Sequence, residues 1–289
     1  MEQEELKKIV SKIEKLPTLP IVVSKIIELV KNPETSASDV NKVISSDQAL
    51  TAKVLKLVNS AFYGFPKRIS TLTNAIVILG FNTVKSLALS ASVFDMFSGK
   101  NLVSGFDREG FWLHSVGTAV CAQSIAKKSG YRDQEEAFIA GLIHDIGKVV
   151  LDQYAPEEFA SVLKYAKEKN VECLEAEREV LKGITHTMIG RWLAKRWNLP
   201  QSLENAMAYH HRPGTDKDSG HLTSIVHAAN VIIRAKKIGF PGDAVIPPLH
   251  NEALQMLKLT KEDLKFILST IKDDVLKADS FIKLAQGKI

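Results

Sequence analysis

A histidine and an aspartate stand side by side, as His144-Asp145, in the otherwise apolar segment from Gly141 to Lys148. Burying an imidazole and a carboxylate together costs free energy unless something pairs them. A divalent metal ion would pair them, because the Asp145 carboxylate can bridge two ions and His144 offers a ring nitrogen. Imidazole-rich sites with one carboxylate suit iron, zinc, manganese, cobalt or nickel. Further candidate ligands are histidines elsewhere in the chain: His114, His186, His210 and His211.

Helices must position these side chains, because apolar residues recur at spacings of three and four and no alternating run is long enough for a strand. The sequence therefore predicts an all-α protein. One helix at about 107–129 carries His114, and a continuous helix at about 133–150 carries both His144 and Asp145, about 100° apart around its axis. The remaining candidates fall on a helix at about 184–198, on a stripe from Leu203 through Met207 to His210, and on a helix at about 220–237.

Each histidine alone could be a hydrogen-bonded core or surface residue. The joint pattern is stronger, because His114, His144 and His186 all lie on apolar stripes and would need buried partners if no metal were present. Spacing alone leaves a metal site and a set of core histidines equally open.

The first hundred residues are predicted as short helices at about 2–15, 21–31, 48–59, 71–79 and 82–97. Val22, Ile26 and Leu29 mark the apolar face of the second, and the aromatic linker 60–68 should pack down. Residues 72–89 loosely fit a helix-turn-helix. Their second helix carries only Lys85 as a base, whereas a DNA-reading helix presents several Arg, Lys, Asn or Gln side chains. Simple helix packing is therefore favoured over DNA binding.

Composition sets wider bounds. The chain has 289 residues and a net charge of +5 without a basic run, which is weak evidence for a nucleic-acid partner. Cys121 and Cys173 cannot form a disulfide framework and suit a reducing cytoplasm. Residues 1–15 are rich in Glu and Lys, unlike a secretory signal. No apolar run reaches the roughly 18 residues of a membrane span.

At these motifs the sequence resembles the HD superfamily of metal-dependent phosphohydrolases, and more specifically the HDOD-domain proteins, over about residues 12–235. The resemblance implies an HDOD fold, with an N-terminal helical bundle (1–100) packed on an HD-type helical core (101–240). We expect a C-terminal helical extension at 241–289, outside the resemblance. It also implies a regulatory role in bacterial signalling with a protein partner. It rests on Leu16-Pro17-Thr18-Leu19-Pro20, Val58-Asn59-Ser60, Ile69-Ser70-Thr71-Leu72, Trp112-Leu113-His114-Ser115, the segment 138–148, His186, His210-His211 and Ala229-Asn230.

The related HD-GYP phosphodiesterases, which hydrolyse cyclic di-GMP, have the ligand order His, His-Asp, His, His-His, Asp. The resemblance transfers this order to His114, His144, Asp145, His186, His210 and His211. Asn230 stands in place of the last aspartate, and Arg212-Pro213-Gly214 replaces the GYP element. The set Asp145, His186, His210 and His211 is complete, whereas the set of His114, His144, Asp145 and Asn230 has lost an anionic ligand. The resemblance thus implies metal at the complete set and weak or absent binding at the other.

Two functions follow as hypotheses. The first is a regulatory module that retains a metal site but has impaired catalysis, because two adjacent ions usually share the work of hydrolysis. The second is an active phosphohydrolase on a nucleotide or cyclic dinucleotide, with Asp145 and Lys148 as its catalytic residues. Lys148 resembles the phosphate-contacting lysine of the enzymes, and the alternative is a solvated lysine at a helix end. The expected cofactor is one or two divalent transition-metal ions, with iron placed first and zinc, manganese or nickel open.

The tail, 249–289, lies beyond the resemblance. Thr260 and Asp263 form a predicted capping box, followed by Leu264, Ile267, Ile271, Val275 and Leu276 at helical spacing. This helix should cover one half of the protein, and the alternative is a docking or dimerisation helix.

Overall fold

A computed structural model describes residues 21–32, 34–97, 105–285 and 288. Its regular elements are α-helices and one short 3-10 helix (Pro213–Thr215), with no strand in these ranges, which confirms the all-α class. The predicted helix at 2–15 and the proline segment 16–20 lie outside the described residues. The helices are α1 (Ile21–Lys31), α2 (Ala37–Ser45), α3 (Gln48–Val58), α4 (Leu72–Leu79), α5 (Phe81–Phe97), α6 (Arg108–Lys128), α7 (Gln134–Ile143), α8 (Ile146–Tyr154), α9 (Pro156–Lys169), α10 (Cys173–Val180), α11 (His186–Arg196), α12 (Gln201–Tyr209), α13 (Gly220–Ala235), α14 (Asn251–Leu257), α15 (Lys261–Lys277) and α16 (Asp279–Ala285).

The N-terminal helices gather around α5, which packs against α1, α3 and α4 and also against α7. Twelve of the 17 residues of α5 are buried, and Lys85 is among them. A helix enclosed in this way cannot lie in a DNA groove, which agrees with simple helix packing for residues 72–89. The predicted apolar face of α1 is confirmed: Ile26 is buried, and Val22 and Leu29 are half-buried against the core. Val23 and Ile27 are buried as well.

The long helix α6 is the centre of the second half, where it packs against α7, α13 and α15. Small residues allow the closest approach. A Cβ at Gly141 of α7 would lie 2.8 Å from the Ala119 Cα atom and the Thr118 carbonyl oxygen of α6. The predicted stripe of α6 is fully buried and consists of Phe111, His114, Thr118, Cys121 and Ile125. His114 therefore points inward from the helix that the rest of this half surrounds.

The single helix predicted for about 133–150 is wrong, because the chain forms two helices, α7 and α8, with a break at His144-Asp145. Asp145 leaves the helical conformation (φ −102°, ψ 10°) and forms a tight turn in which the Lys148 N–H donates to its carbonyl oxygen at 2.9 Å. No proline marks this break, and the apolar periodicity runs through it, so the pattern could not reveal it. Because of this turn, the side chains of His144 and Asp145 approach each other although the residues are adjacent in the sequence, with 3.4 Å between the His144 Nε2 atom and the Asp145 Oδ2 atom.

The C-terminal helices connect the two halves. α15 packs on α6, and α16 packs on α3, α5 and α6. Phe281 of α16 is fully buried between Phe62 of the aromatic linker and Phe138 of α7, at ring-centroid distances of 5.6 and 5.3 Å. The predicted packing of the linker is confirmed, and so is the Thr260–Asp263 capping box. Ile267, Ile271 and Val275 of the predicted helix are buried, whereas Leu276 is 73% exposed.

The domain divisions near residues 100 and 240 stay predictions, because α16 packs against helices on both sides of residue 100 and marks no boundary between them.

In the ranges that the structure describes, no helix combines the length and the apolar character that crossing a bilayer requires.

Candidate metal centre

Two groups of side chains offer metal-ligand atoms that all lie within 4.8 Å of one another. The first group is His114, His144 and Asp145, and the second group is Asp145, His186, His210 and His211. Asp145 belongs to both groups. All these side chains are fully buried except that of His211, which is 9% exposed. The structure therefore brings together the six predicted His and Asp ligands, from α6, the α7–α8 turn, α11 and the end of α12.

The two oxygens of Asp145 face different groups. Oδ1 lies 3.1 Å from the His186 Nε2 atom and 3.4 Å from the His210 Nε2 atom. Oδ2 lies 3.4 Å from the His144 Nε2 atom and 2.6 Å from the Lys148 Nζ atom. The carboxylate is thus placed between the groups, as a bridging ligand would be.

Hydrogen bonds fix the tautomers of the histidines. The Nδ1–H group of His144 donates to the Gly141 carbonyl oxygen at 2.7 Å, and that of His210 donates to the Met207 carbonyl oxygen at 3.1 Å. Since a carbonyl can only accept, both rings turn an Nε2 lone pair toward Asp145. In this way several acceptors face a carboxylate, which is also an acceptor.

Contacts of the ring nitrogens likewise indicate which nitrogen carries the lone pair in His114, His186 and His211. The Thr118 hydroxyl donates to the His114 carbonyl oxygen at 2.9 Å and lies 3.5 Å from the His114 Nε2 atom, which leaves Nδ1 as the lone-pair nitrogen. The Nε2 atoms of His186 and His211 lie 3.2 Å apart. The Nδ1 atoms of these two rings face carboxylates instead, Glu177 at 2.7 Å and Glu172 at 3.5 Å.

Five buried side-chain atoms of the predicted ligands lack a hydrogen-bond partner in the described chain. They are His114 Nδ1, His144 Nε2, Asp145 Oδ1, His210 Nε2 and Asn230 Oδ1. Buried polar atoms are nearly always paired, so the orphaned atoms of His114, His144, Asp145 and His210, which belong to the two groups of clustered ligand atoms, require an explanation. A divalent cation accepts such lone pairs and balances the carboxylate, and the residues present therefore fit a metal ion.

Protonation of the imidazoles does not relieve this arrangement. Burial lowers the pKa of His210 to about 3, and it holds the pKa values of His114 and His211 well below their usual range. Burial also acts against protonation of His186, but the Glu177 and Asp145 carboxylates raise its pKa overall. One added proton on His186 would pair the Asp145 Oδ1 atom but would leave the orphaned nitrogens of His114, His144 and His210 unpaired. Neutral imidazole is also the form that binds metals.

Lys148 is buried at 1% exposure, so the alternative of a solvated lysine is wrong. Burial alone would lower its pKa, but the adjacent Asp145 carboxylate raises it. Conversely, burial opposes ionisation of Asp145, and the Lys148 ammonium together with the nearby imidazoles holds the Asp145 pKa well below its usual range. The turn therefore contains a charged, hydrogen-bonded ion pair.

Sequence reasoning missed Glu177, which is fully buried on α10. Its Oε2 atom accepts from the His186 Nδ1–H group at 2.7 Å and from the His186 backbone N–H at 2.8 Å. A carboxylate behind a metal-binding imidazole fixes the ring orientation and makes the other nitrogen a better ligand. The available signal was spacing, because Glu177 follows Cys173 by four residues on the buried face of a short amphipathic helix.

His227 is a positioning residue. Its Nδ1–H group donates to the His210 carbonyl oxygen at 2.8 Å, and its Nε2 atom accepts from the His250 N–H at 3.1 Å. Both ring nitrogens are therefore used. His227 holds the backbone of the His210-His211 pair against the segment that precedes α14.

A cleft of about 490 Å³ opens beside the second group. His211, His227 and Asn230 line one side of it, and Glu172, Arg178 and Arg212 are among the other lining residues. The structure thus places Asn230, the seventh predicted ligand, buried on α13 next to the solvent route to His211.

Gly147 lets α8 approach the start of α11, because a Cβ there would lie 2.1 Å from the His186 carbonyl oxygen. We expect Gly147→Ala to separate Asp145 from His186 and to destabilise the fold by about 1–3 kcal/mol, the usual cost of overpacking. Urea unfolding and metal titration would measure both effects. Gly190→Ala on α11 is the control, since a Cβ there would meet only Met207 side-chain atoms at 3.5 Å or more. If the two variants had the same stability in urea and the same metal affinity, this role of Gly147 would be contradicted.

A family model of the HDOD domain matches residues 16–213. The chain belongs to the HDOD domain family. An uncharacterized protein of Treponema pallidum (strain Nichols) is 32% identical over 231 residues, which are 78% of this chain and 44% of that protein. Ribonuclease Y of Mycoplasmoides gallisepticum is 29% identical over 147 residues, which are 48% of this chain and 24% of that protein. The HDOD chain thus spans less than half the length of these curated relatives.

Solved structures share the HDOD fold. An HDOD domain protein from Geobacter sulfurreducens has a TM-score of 0.81 at 24% identity, with 98% of this chain and 97% of that chain covered. A candidate phosphohydrolase from Shewanella amazonensis SB2B has a TM-score of 0.70 at 24% identity, with 97% of each chain covered. A candidate signal transduction protein from Marinobacter aquaeolei VT8 has a TM-score of 0.77 at 22% identity, with 98% of this chain and 65% of that chain covered. At these identities the likeness shows the fold alone.

Proposed function

We propose that this HDOD protein is a regulatory signalling module that holds one divalent transition-metal ion in the second group, between Asp145, His186, His210 and His211. The observation that carries the proposal is the set of orphaned lone pairs that meet at Asp145. Iron is the first candidate for the bound metal, and zinc, manganese and nickel are the alternatives. Imidazole ligands with one carboxylate suit all four metals. A protein partner and a cytoplasmic location belong to the proposal.

Charge favours one ion over two. The Lys148 ammonium is 2.6 Å from Oδ2, the Asp145 oxygen that faces the first group. It therefore supplies positive charge on the side where another ion would bind. Asn230 offers only a neutral oxygen where the related enzymes have a carboxylate. The first group thus has one resident cation and one negative charge fewer, and both features weaken binding of a second ion.

When bound, a divalent ion would polarise a phosphoryl oxygen and make bound water more acidic. The chain's own residues hold and orient the ligands: Glu177 keeps a proton on His186 Nδ1, and carbonyl oxygens keep protons on the Nδ1 atoms of His144 and His210. These contacts hold the ligands of one metal ion in place. Hydrolysis of a phosphodiester would still lack a second ion to stabilise the leaving oxygen. A preserved site with impaired hydrolysis suits a module that communicates through protein contacts.

A second function is favoured by the cleft beside the site. Arg178 and Arg212 line it together with Glu172, Glu175 and Glu179, and His211 is also in its lining. Guanidinium groups bind phosphate oxygens bidentately, so a nucleotide or cyclic dinucleotide could reach the metal by this route. In that case Lys148 and Asp145 would act as catalytic residues in an active phosphohydrolase.

A comparison of the wild-type protein with the Asn230→Asp variant distinguishes a regulatory module from an active phosphohydrolase. We expect the wild-type protein with manganese or iron(II) to leave bis(p-nitrophenyl) phosphate and cyclic di-GMP intact. We expect the variant to bind about two ions and to hydrolyse the ester, because two adjacent ions clamp the attacking and leaving oxygens. Elemental analysis and nitrophenolate release are the readouts.

Asn230→Leu is the matched control, since it is similar in size and cannot bind a metal. Wild-type hydrolysis that is lost both with chelator and in Asp145→Asn would contradict the regulatory proposal and would favour the phosphohydrolase.

A further inference from the structure

A second cleft, of about 1060 Å³, lies in the N-terminal half between α3, the segment 60–70 and α16. Its walls include Lys56 and Asn59 from α3 and its C-cap, Phe65 and Arg68 from the linker, and Ser280 from α16. The volume lies just above the roughly 300–1,000 Å³ typical of small-molecule sites. Two motifs that the metal centre does not use, Val58-Asn59-Ser60 and Ile69-Ser70-Thr71-Leu72, both contribute to this wall.

The charge of the cleft is positive. Lys56 and Arg68 are exposed, and none of the described residues that line the cleft is acidic. Within the described ranges, no carboxylate lies within ion-pair distance of either side chain, although Lys53 on the same helix is paired with Asp95. Two cations without a neighbouring counter-charge on one wall favour an anionic ligand.

The wall is rigid and carries a buried hydroxyl. The Asn59 side chain accepts from the Ile69 N–H at 2.7 Å and donates to the Ile69 carbonyl oxygen at 2.8 Å, so it fixes the two sides of the linker together. Ser60 is 6% exposed, and its Oγ atom has no hydrogen-bond partner in the described chain. The Oγ atom is itself buried, and a turn of the side chain to another staggered position would bring this donor to a ligand seated against the wall.

An aromatic ring completes the site. Phe65 is half-buried in the wall, and its ring is parallel to that of Tyr63, with an interplanar angle of 3° and a centroid distance of 6.3 Å. A fixed ring of this kind can stack on a planar base, and such stacking tolerates any base.

We propose that this cleft binds a nucleoside phosphate, with the phosphate at Lys56 and Arg68, the Ser60 hydroxyl as an added donor, and the base against Phe65. This site is separate from the metal centre and does not rest on its function. The Ser280 wall precedes Phe281, which packs on both Phe62 and Phe138. A ligand in the cleft would therefore contact the element that joins the two halves.

Isothermal titration of the full chain with AMP, GMP, adenosine and inorganic pyrophosphate tests the site, with EDTA present so that the metal centre does not compete. We expect both nucleotides to bind more tightly than pyrophosphate, and adenosine not to bind. Arg68→Ala and Lys56→Ala should each raise the nucleotide Kd about tenfold, because a hydrogen bond to a charged group is lost. Phe65→Leu should reduce the preference for nucleotide over pyrophosphate, and Ser60→Ala should weaken binding by a smaller factor.

Lys67→Ala is the matched control, because Lys67 is an exposed neighbour of Arg68 that does not line the cleft. Absence of binding at millimolar nucleotide would overturn the proposal. It would also be overturned by binding that Arg68→Ala and Lys67→Ala affect equally, or by binding that is lost only in Asp145→Asn, which would place the nucleotide at the metal centre.

Discussion

Asp145→Asn is expected to raise the Kd for the metal by more than about 100-fold, beyond the 10–100-fold usual for residues that only support a ligand. The reason is that Asp145 is the one carboxylate in both groups, and each of its oxygens faces different imidazoles. Asparagine keeps the shape of the side chain and loses its negative charge. Titration of metal-free protein with zinc or iron(II), against a chelator of known affinity, measures the change.

The same substitution should destabilise the fold, because it leaves the Lys148 ammonium buried without its counter-charge. Removing one partner of a buried ion pair costs about 3–5 kcal/mol. The double variant Asp145→Asn with Lys148→Met is the matched control, since it removes both charges. We expect it to recover most of the free energy of unfolding without recovering metal binding. Metal affinity that returns in the double variant would show that Asp145 acts on the fold rather than as a ligand.

Glu177→Ala is expected to have the second-largest effect. It leaves the buried Nδ1–H and backbone N–H groups of His186 without acceptors, at about 1–3 kcal/mol for each unsatisfied donor. It also releases the ring whose Nε2 atom faces Asp145, so the metal Kd should rise about 10–100-fold. Urea unfolding of the metal-free and metal-loaded protein separates these two losses.

Glu177→Gln is the informative comparison. A glutamine oxygen can still accept from His186, so stability should largely return, while the missing charge keeps the metal affinity below that of the wild type. Glu175→Gln on the same helix is the control, since Glu175 lies on the exposed side. If Glu177→Gln matched the wild type in metal affinity, Glu177 would have only a structural role.

The burial of His114 and His186 could be predicted from the sequence, because both lie on apolar stripes of their helices and both are buried. Their assignment as metal ligands came from the resemblance to the HD superfamily, since spacing alone left core histidines equally open. The break at His144-Asp145 was not predictable, because no proline or glycine marks these two positions and the apolar periodicity continues through them. Glu177 was missed for a related reason: its value lies in a hydrogen bond to a residue nine positions away.

Lys148 shows a further limit of sequence reasoning. At a helix end a lysine is usually solvated, and only the tertiary structure reveals that Asp145 holds it in the core. The N-terminal cleft has the same origin, because Ser280 is more than 200 residues from Lys56 and Arg68 in the sequence. Long-range packing, rather than local periodicity, creates both features.

The metal content of the wild-type protein tests the central claim most directly. Elemental analysis should be done on protein purified without an affinity tag that binds metals, beside the Asp145→Asn, Lys148→Met double variant. We predict about one transition-metal ion per chain in the wild type and none in the double variant. A wild-type protein that binds no ion, even after incubation with iron(II), zinc, manganese or nickel, would contradict the claim and would leave the buried histidines as core residues.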